Sequence, residues 1–303
     1  DVNDIVVSKG DADFSKYVSL GNSLTSGYRD NALYLDGQNE SYPSMIAQQM
    51  RLAGGGAFVQ PMVSDNNGGL KIGSNIIAAT KVYLKGFDSF GSPILENVTT
   101  PPTTDITQKV TGPLNNYGVP GAKTAHLIAP GYGNIAGLPA TANPYYVRFA
   151  TSTTTTILRD ALAQNPTFVS LWIGNNDVLG YATTGGDGTN PITPNAGAVG
   201  IGFDNTYAYL VDTIFPNNTA RKGIVANIPY VTSIPFFTTV PYKPVPGAKI
   251  AANVAALNGL YDQLKSALAY LGVNDRIVES LSGTTTNRVL LSDESLPNLS
   301  TQL

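Results

Sequence analysis

Phe168-Val169-Ser170-Leu171-Trp172-Ile173, followed at once by Gly174-Asn175-Asn176-Asp177, decides the fold. Apolar residues at nearly every position predict a strand covered on both faces, and the polar turn sits where such a strand hands over to the next element. Two other segments repeat the pattern. Tyr17–Leu20 runs into Gly21-Asn22-Ser23, and Leu114–Val119 ends in Pro120-Gly121-Ala122. Between them lie helical spacings: Met45, Ile46 and Met50 before the Gly54-Gly55-Gly56 stop, Ala122–Ile128, Thr156–Ala163 ahead of Asn165-Pro166, and Asn205–Ile214. Gly223–Ile228 reads as a further buried strand, Lys249–Leu271 as the longest amphipathic helix and Arg288–Leu291 as a last strand. Strands alternating with helices predict one domain over 1–303 built on a doubly wound, mostly parallel α/β sheet, with an irregular insertion at about 61–112 that holds short strands such as Lys81–Leu84. In a flavodoxin-like order the three strands lie side by side and their polar segments converge at the carboxyl edge, where such sheets bind ligands.

Composition narrows the chemistry. With 0 Cys and 1 His, disulfides, thiolate metal sites, cysteine nucleophiles and sites needing two imidazoles are excluded. The 18 Lys+Arg against 21 Asp+Glu, net −3, give no basic footprint for nucleic acid. Charged residues make up 13%, below the roughly 25% of an average soluble domain, while Thr, Asn and Ser fill the polar share. That surface suggests an exported protein: secreted, periplasmic or anchored to the cell envelope. No phosphate-cradling GxGxxG or GxxxxGK[ST] follows a strand, which argues against a nucleotide binder.

Each convergent segment has a chemical and a plain reading. Ser23, at a strand-to-helix turn, offers an exposed hydroxyl beside a free backbone N–H, a combination that suits a nucleophile generating an oxyanion; taken alone, it reads first as an N-cap. Gly121 lets an oxygen approach its amide, or is a turn glycine. Asn176 carries an amide that can donate to the same oxyanion and Asp177 a carboxylate that can stiffen the loop, or both belong to a solvated turn. The three segments occur in this order, each directly after a predicted strand.

Together they resemble the SGNH hydrolases, the GDSL lipase/esterase family. Val18-Ser19-Leu20-Gly21-Asn22-Ser23-Leu24-Thr25 is similar to the first block, with Asn22 in place of its usual Asp. Asn116-Tyr117-Gly118-Val119-Pro120-Gly121-Ala122 resembles the second, and Gly174-Asn175-Asn176-Asp177 the GxND of the third. The resemblance covers about residues 14–235. It implies a flavodoxin-like three-layer α/β/α fold and ester hydrolysis through an acyl-serine, with Ser23 as nucleophile, Gly121 and Asn176 completing the oxyanion hole, supporting roles for Gly21, Asn22, Gly174 and Asp177, and no metal or organic cofactor. The implied substrate is a small ester, a lipid or an acylated carbohydrate.

The family's fourth block, a DxxH whose His is the general base, has no counterpart. Ser292-Asp293-Glu294-Ser295-Leu296 has Leu where the His would stand. His126 lies five residues past Gly121, an extended reach of at most about 18 Å, without an Asp spaced to fix its tautomer. The expectation is a C-terminally incomplete domain whose DxxH belongs to a missing segment or a separate chain. The alternative is a catalytically inactive binding or interaction protein of the cell envelope.

Overall fold

The computed structural model describes residues 7–89, 91–239, 243–276 and 278–290. It divides into two units, residues 1–85 with 95–231 and residues 86–94 with 232–303.

The first unit opens with β1 (Tyr17–Gly21), α1 (Ser23–Ser26), α2 (Leu35–Asn39) and α3 (Tyr42–Arg51). The 61–112 segment carries two hairpins, β2 (Leu70–Ile72) with β3 (Asn75–Ala78) and β4 (Val82–Phe87) with β5 (Pro93–Asn97), the tip of the second, 86–94, being counted with the second unit. Then come β6 (Asn116–Gly118), α4 (Pro144–Val147), α5 (Ile157–Leu162), β7 (Phe168–Trp172), α6 (Asn175–Thr183), α7 (Phe203–Ile214) and β8 (Lys222–Val225). Four strands form one parallel sheet in the order β6-β1-β7-β8.

Alternation along the strands puts helices on both faces. Val18, Leu20, Val169 and Leu171 point into a core shared with Ile157, Leu158 and Ala161 of α5 and Leu210 and Ile214 of α7. Tyr17 and Phe168, one residue out of phase, point the other way and pack on Ala47 and Met50 of α3. Helix boundaries follow local chemistry. Thr156 caps α5 by accepting from the Arg159 N–H at 3.1 Å, and Asn143 caps α4 with Pro144 in the first turn. Arg148, 2% exposed, donates to the carbonyls of Pro61 and Met62 and so ties the start of the 61–112 segment to the end of α4; burial pushes its guanidinium down to about 10.

Several boundaries differ from the sequence reading. The buried strand predicted at 223–228 is β8 (Lys222–Val225); it is the edge strand of the sheet among the described residues, and all four of its residues are exposed. The second unit has α8 (Pro235–Thr238), and the helix predicted over 249–271 is divided there into α9 (Gly247–Ile250), a 3-10 turn at Ala251–Asn253 and α10 (Val254–Tyr270). Only Leu268 of α10 is buried, and Leu260 is 60% exposed. Residues 288–290 form no strand; next to them Asn287 makes an isolated bridge to Val245, and Leu291 lies outside the described residues, as does the 292–296 stretch. No helix among the described residues is long and apolar enough to cross a membrane.

Candidate active site

Strand register brings the three predicted segments to one level. Gly21 at the end of β1 is paired with Gly118 at the end of β6 and with Trp172 at the end of β7. Ser23, Gly121 and Asn176 follow those strand ends by two, three and four residues, so all three stand at the carboxyl edge of adjacent parallel strands. Direct bonds join the segments. The Val119 N–H donates to Gly21 O at 3.0 Å, and Asn176 Nδ2 donates to Ala122 O at 2.9 Å.

The cap of α1 is Asn22 rather than Ser23: Asn22 Oδ1 accepts from the Leu24 N–H at 3.1 Å. That leaves Ser23 half-buried at the first helical position with its Oγ free of any hydrogen bond among the described residues, and its N–H without an acceptor among them. The helix is a single turn, so what Ser23 contributes is one aimed N–H and one hydroxyl, not a helix-end field. Gly21 is required beneath it, since a Cβ there would stand 2.0 Å from Thr25 Oγ1 and 2.4 Å from the Trp172 carbonyl oxygen.

Val119-Pro120-Gly121-Ala122 is a β-turn closed by the Ala122 N–H on Val119 O at 3.1 Å. Pro at the second position and Gly121 with φ +80° at the third are the type II arrangement. Gly121 is exposed, and its N–H meets no acceptor among the described residues. Asn176 spends one amide hydrogen on Ala122 O and keeps the second.

Asp177 ties the third segment to the second. Only 2% exposed, it accepts from the Thr124 N–H and Oγ1, both at 2.8 Å, through Oδ2. Gly174 turns the chain from β7 into α6 at φ +114°, where a Cβ would be 2.4 Å from Ile228 Cδ1. Buried side-chain atoms without a partner among the described residues gather at this edge: Asn22 Nδ2, Trp172 Nε1, Asn175 Oδ1 and Asp177 Oδ1. Unmade bonds of this kind are uncommon in protein interiors and concentrate where a ligand, water or chemistry uses them.

His126 sits in the 3-10 turn Thr124–Ile128, where the helix expected at Ala122–Ile128 is shortened. Its Nδ1 accepts from the Lys123 N–H at 3.0 Å, and its ring stacks on Tyr132 with centroids 4.4 Å apart. An Nδ1 lone pair committed to an N–H places the ring proton on Nε2, which leaves no basic nitrogen to accept from Ser23. Burial lowers the His126 pKa, the Asp177 charge acts the other way and Lys123 adds to the lowering. Two contributors were not read from the sequence: Thr124, and Asn143, whose Nδ2 donates to Pro120 O at 2.8 Å. The Asn143-Pro144 helix start is visible in sequence; a contact 23 residues back along the chain is not.

No group of three or more His, Asp or Glu among the described residues could hold a metal ion. The chain matches no protein-family model, no curated protein and no solved structure.

Proposed function

We propose that this edge is the acyl-transfer site of a serine esterase of the SGNH type. Ser23 Oγ attacks the ester carbonyl, its proton passes to a base outside the described residues and then to the leaving alkoxide, and water releases the acid from the acyl-serine. The Ser23 and Gly121 N–H groups and the second Asn176 N–H bind the oxyanion. The observation that carries this is the register Gly21↔Gly118 and Gly21↔Trp172, which sets at one level of the sheet edge two N–H groups and a serine hydroxyl that have no hydrogen-bond partner among the described residues. Unlike a plain turn, Gly-Asn-Ser here assigns the capping to Asn22 and leaves Ser23 free. His126 is a packing and loop-holding residue in this scheme.

The test is hydrolysis of p-nitrophenyl acetate by the protein together with the segment or chain that supplies its base, as parent, Ser23→Ala and Asn176→Ala. Ser23→Ala is expected to abolish turnover above background, and Asn176→Ala to lower kcat by roughly two to three orders of magnitude, the usual effect of removing one oxyanion donor. Parent-level turnover in either variant would remove that residue from the mechanism. The inactive-binder alternative predicts no Ser23-dependent turnover at all.

A further inference from the structure

The orientation of the Gly121 N–H is not fixed by the Val119–Ala122 turn alone. Type I and type II turns differ by turning over the central peptide, here Pro120–Gly121, and a glycine at the third position tolerates both. In a trans peptide the C=O and N–H point in opposite directions, so whatever holds Pro120 O also aims the Gly121 N–H.

Asn143 Nδ2 holds that oxygen at 2.8 Å. Asn143 is itself immobilised on every polar atom. Its Nδ2 also donates to Tyr132 OH at 3.1 Å, its Oδ1 accepts from the Tyr145 N–H at 2.9 Å, and its backbone N–H donates to Tyr132 O at 2.8 Å. It is 9% exposed, and Pro120 is buried, so turning the peptide over would strand a buried amide donor.

We infer that Asn143 is a positioning residue that locks the Pro120–Gly121 peptide in the type II orientation and so aims the Gly121 N–H at the site edge. The catalytic consequence rests on the proposal that this N–H is an oxyanion donor; the peptide orientation does not. Asn143→Asp keeps the oxygen that caps α4 and replaces the donor facing Pro120 O with a second oxygen that repels it. Asn143→Ser keeps a capping hydroxyl and shortens the side chain, and serves if the aspartate variant does not fold.

Two readouts separate the lock from the chemistry. In a 13C,15N-labelled sample the nuclear Overhauser contact between Pro120 Hα and the Gly121 N–H is strong for a type II turn and weak once the peptide turns over. It is expected to be strong in the parent and weakened in the variant. The second-order rate of Ser23 modification by a fluorophosphonate is expected to fall roughly 10- to 100-fold, short of or equal to the loss of a whole donor. An unchanged Overhauser contact in a folded variant overturns the inference, whatever the rate does. A weakened contact upholds it, and if the parent then shows no Ser23 modification, what falls is the esterase proposal and not the lock.

Discussion

Replacing Asp177 with alanine tests the joint between the second and third segments. The carboxylate accepts two bonds from Thr124, both at 2.8 Å, in a site where it is 2% exposed. Hydrogen bonds to a charged acceptor contribute about 1.5–3 kcal/mol each, and the buried Thr124 donors would be left without an acceptor. Against that, the variant no longer buries a carboxylate whose Oδ1 has no partner among the described residues. The net expectation is a loss of about 2–4 kcal/mol, which for a unit of this size is a fall in Tm of roughly 5–15 °C. Asp177→Asn keeps an oxygen for Thr124 and should lose about 1 kcal/mol or less. Urea titration followed by fluorescence suits the measurement, because the chain has 1 Trp and Trp172 ends the strand that leads into this site. An alanine variant within about 0.5 kcal/mol of the parent, the range of an ordinary surface change, would refute the joint. So would equal losses in the alanine and asparagine variants.

Gly21→Ala should destabilise the first unit by about 1–3 kcal/mol or more, since its Cβ would press on the Trp172 carbonyl as well as on Thr25 and the paired backbone has nowhere to retreat; a parent-like urea midpoint contradicts this. His126 makes stability depend on pH. Burial holds its folded-state pKa below the ordinary 6.5, so the unfolded chain takes the proton first, and stability present above about pH 6.5 declines as the pH falls below it. In His126→Asn, whose amide oxygen can replace Nδ1 as acceptor for Lys123, that part of the decline between pH 8 and pH 5 should disappear, and Ser23-dependent activity should survive. An unchanged slope would contradict the burial-lowered His126, and lost activity in a folded variant would make His126 a catalytic group.

The apolar runs ending in Gly21 and Trp172 announced the parallel sheet because a strand covered on both faces has no polar phase to disguise it, whereas the third strand, Asn116-Tyr117-Gly118, was marked by the Pro120-Gly121 turn that follows it. Their polar followers were legible as a site for the same reason: chain direction in a parallel sheet sends them all to one edge. What the sequence could not convey depends on partners distant along the chain. Gly223-Ile224-Val225 has the composition of a covered strand, yet β8 is an edge strand with its residues exposed. The 249–271 spacing reads as one helix, and no Pro or Gly marks the 3-10 turn at Ala251–Asn253; the structure offers no physical account of that break. The role of His126 was set by a single local bond from Lys123, and that of Asn143 by a carbonyl in another loop. Neither residue type nor spacing reports such a bond.

The most direct measurement is peptide mapping by mass spectrometry after exhaustive treatment of the folded protein, together with the segment or chain that supplies its base, with an alkyl fluorophosphonate. Its tetrahedral phosphoryl oxygen takes the place of the oxyanion, so the site of the adduct reports nucleophile and donors together. The adduct is expected on the peptide containing Ser23, to the exclusion of the other serines, and to vanish on prior unfolding in urea. An adduct on another residue, or none at Ser23 at the end of the reaction, would contradict the assignment of this sheet edge as an acyl-transfer site.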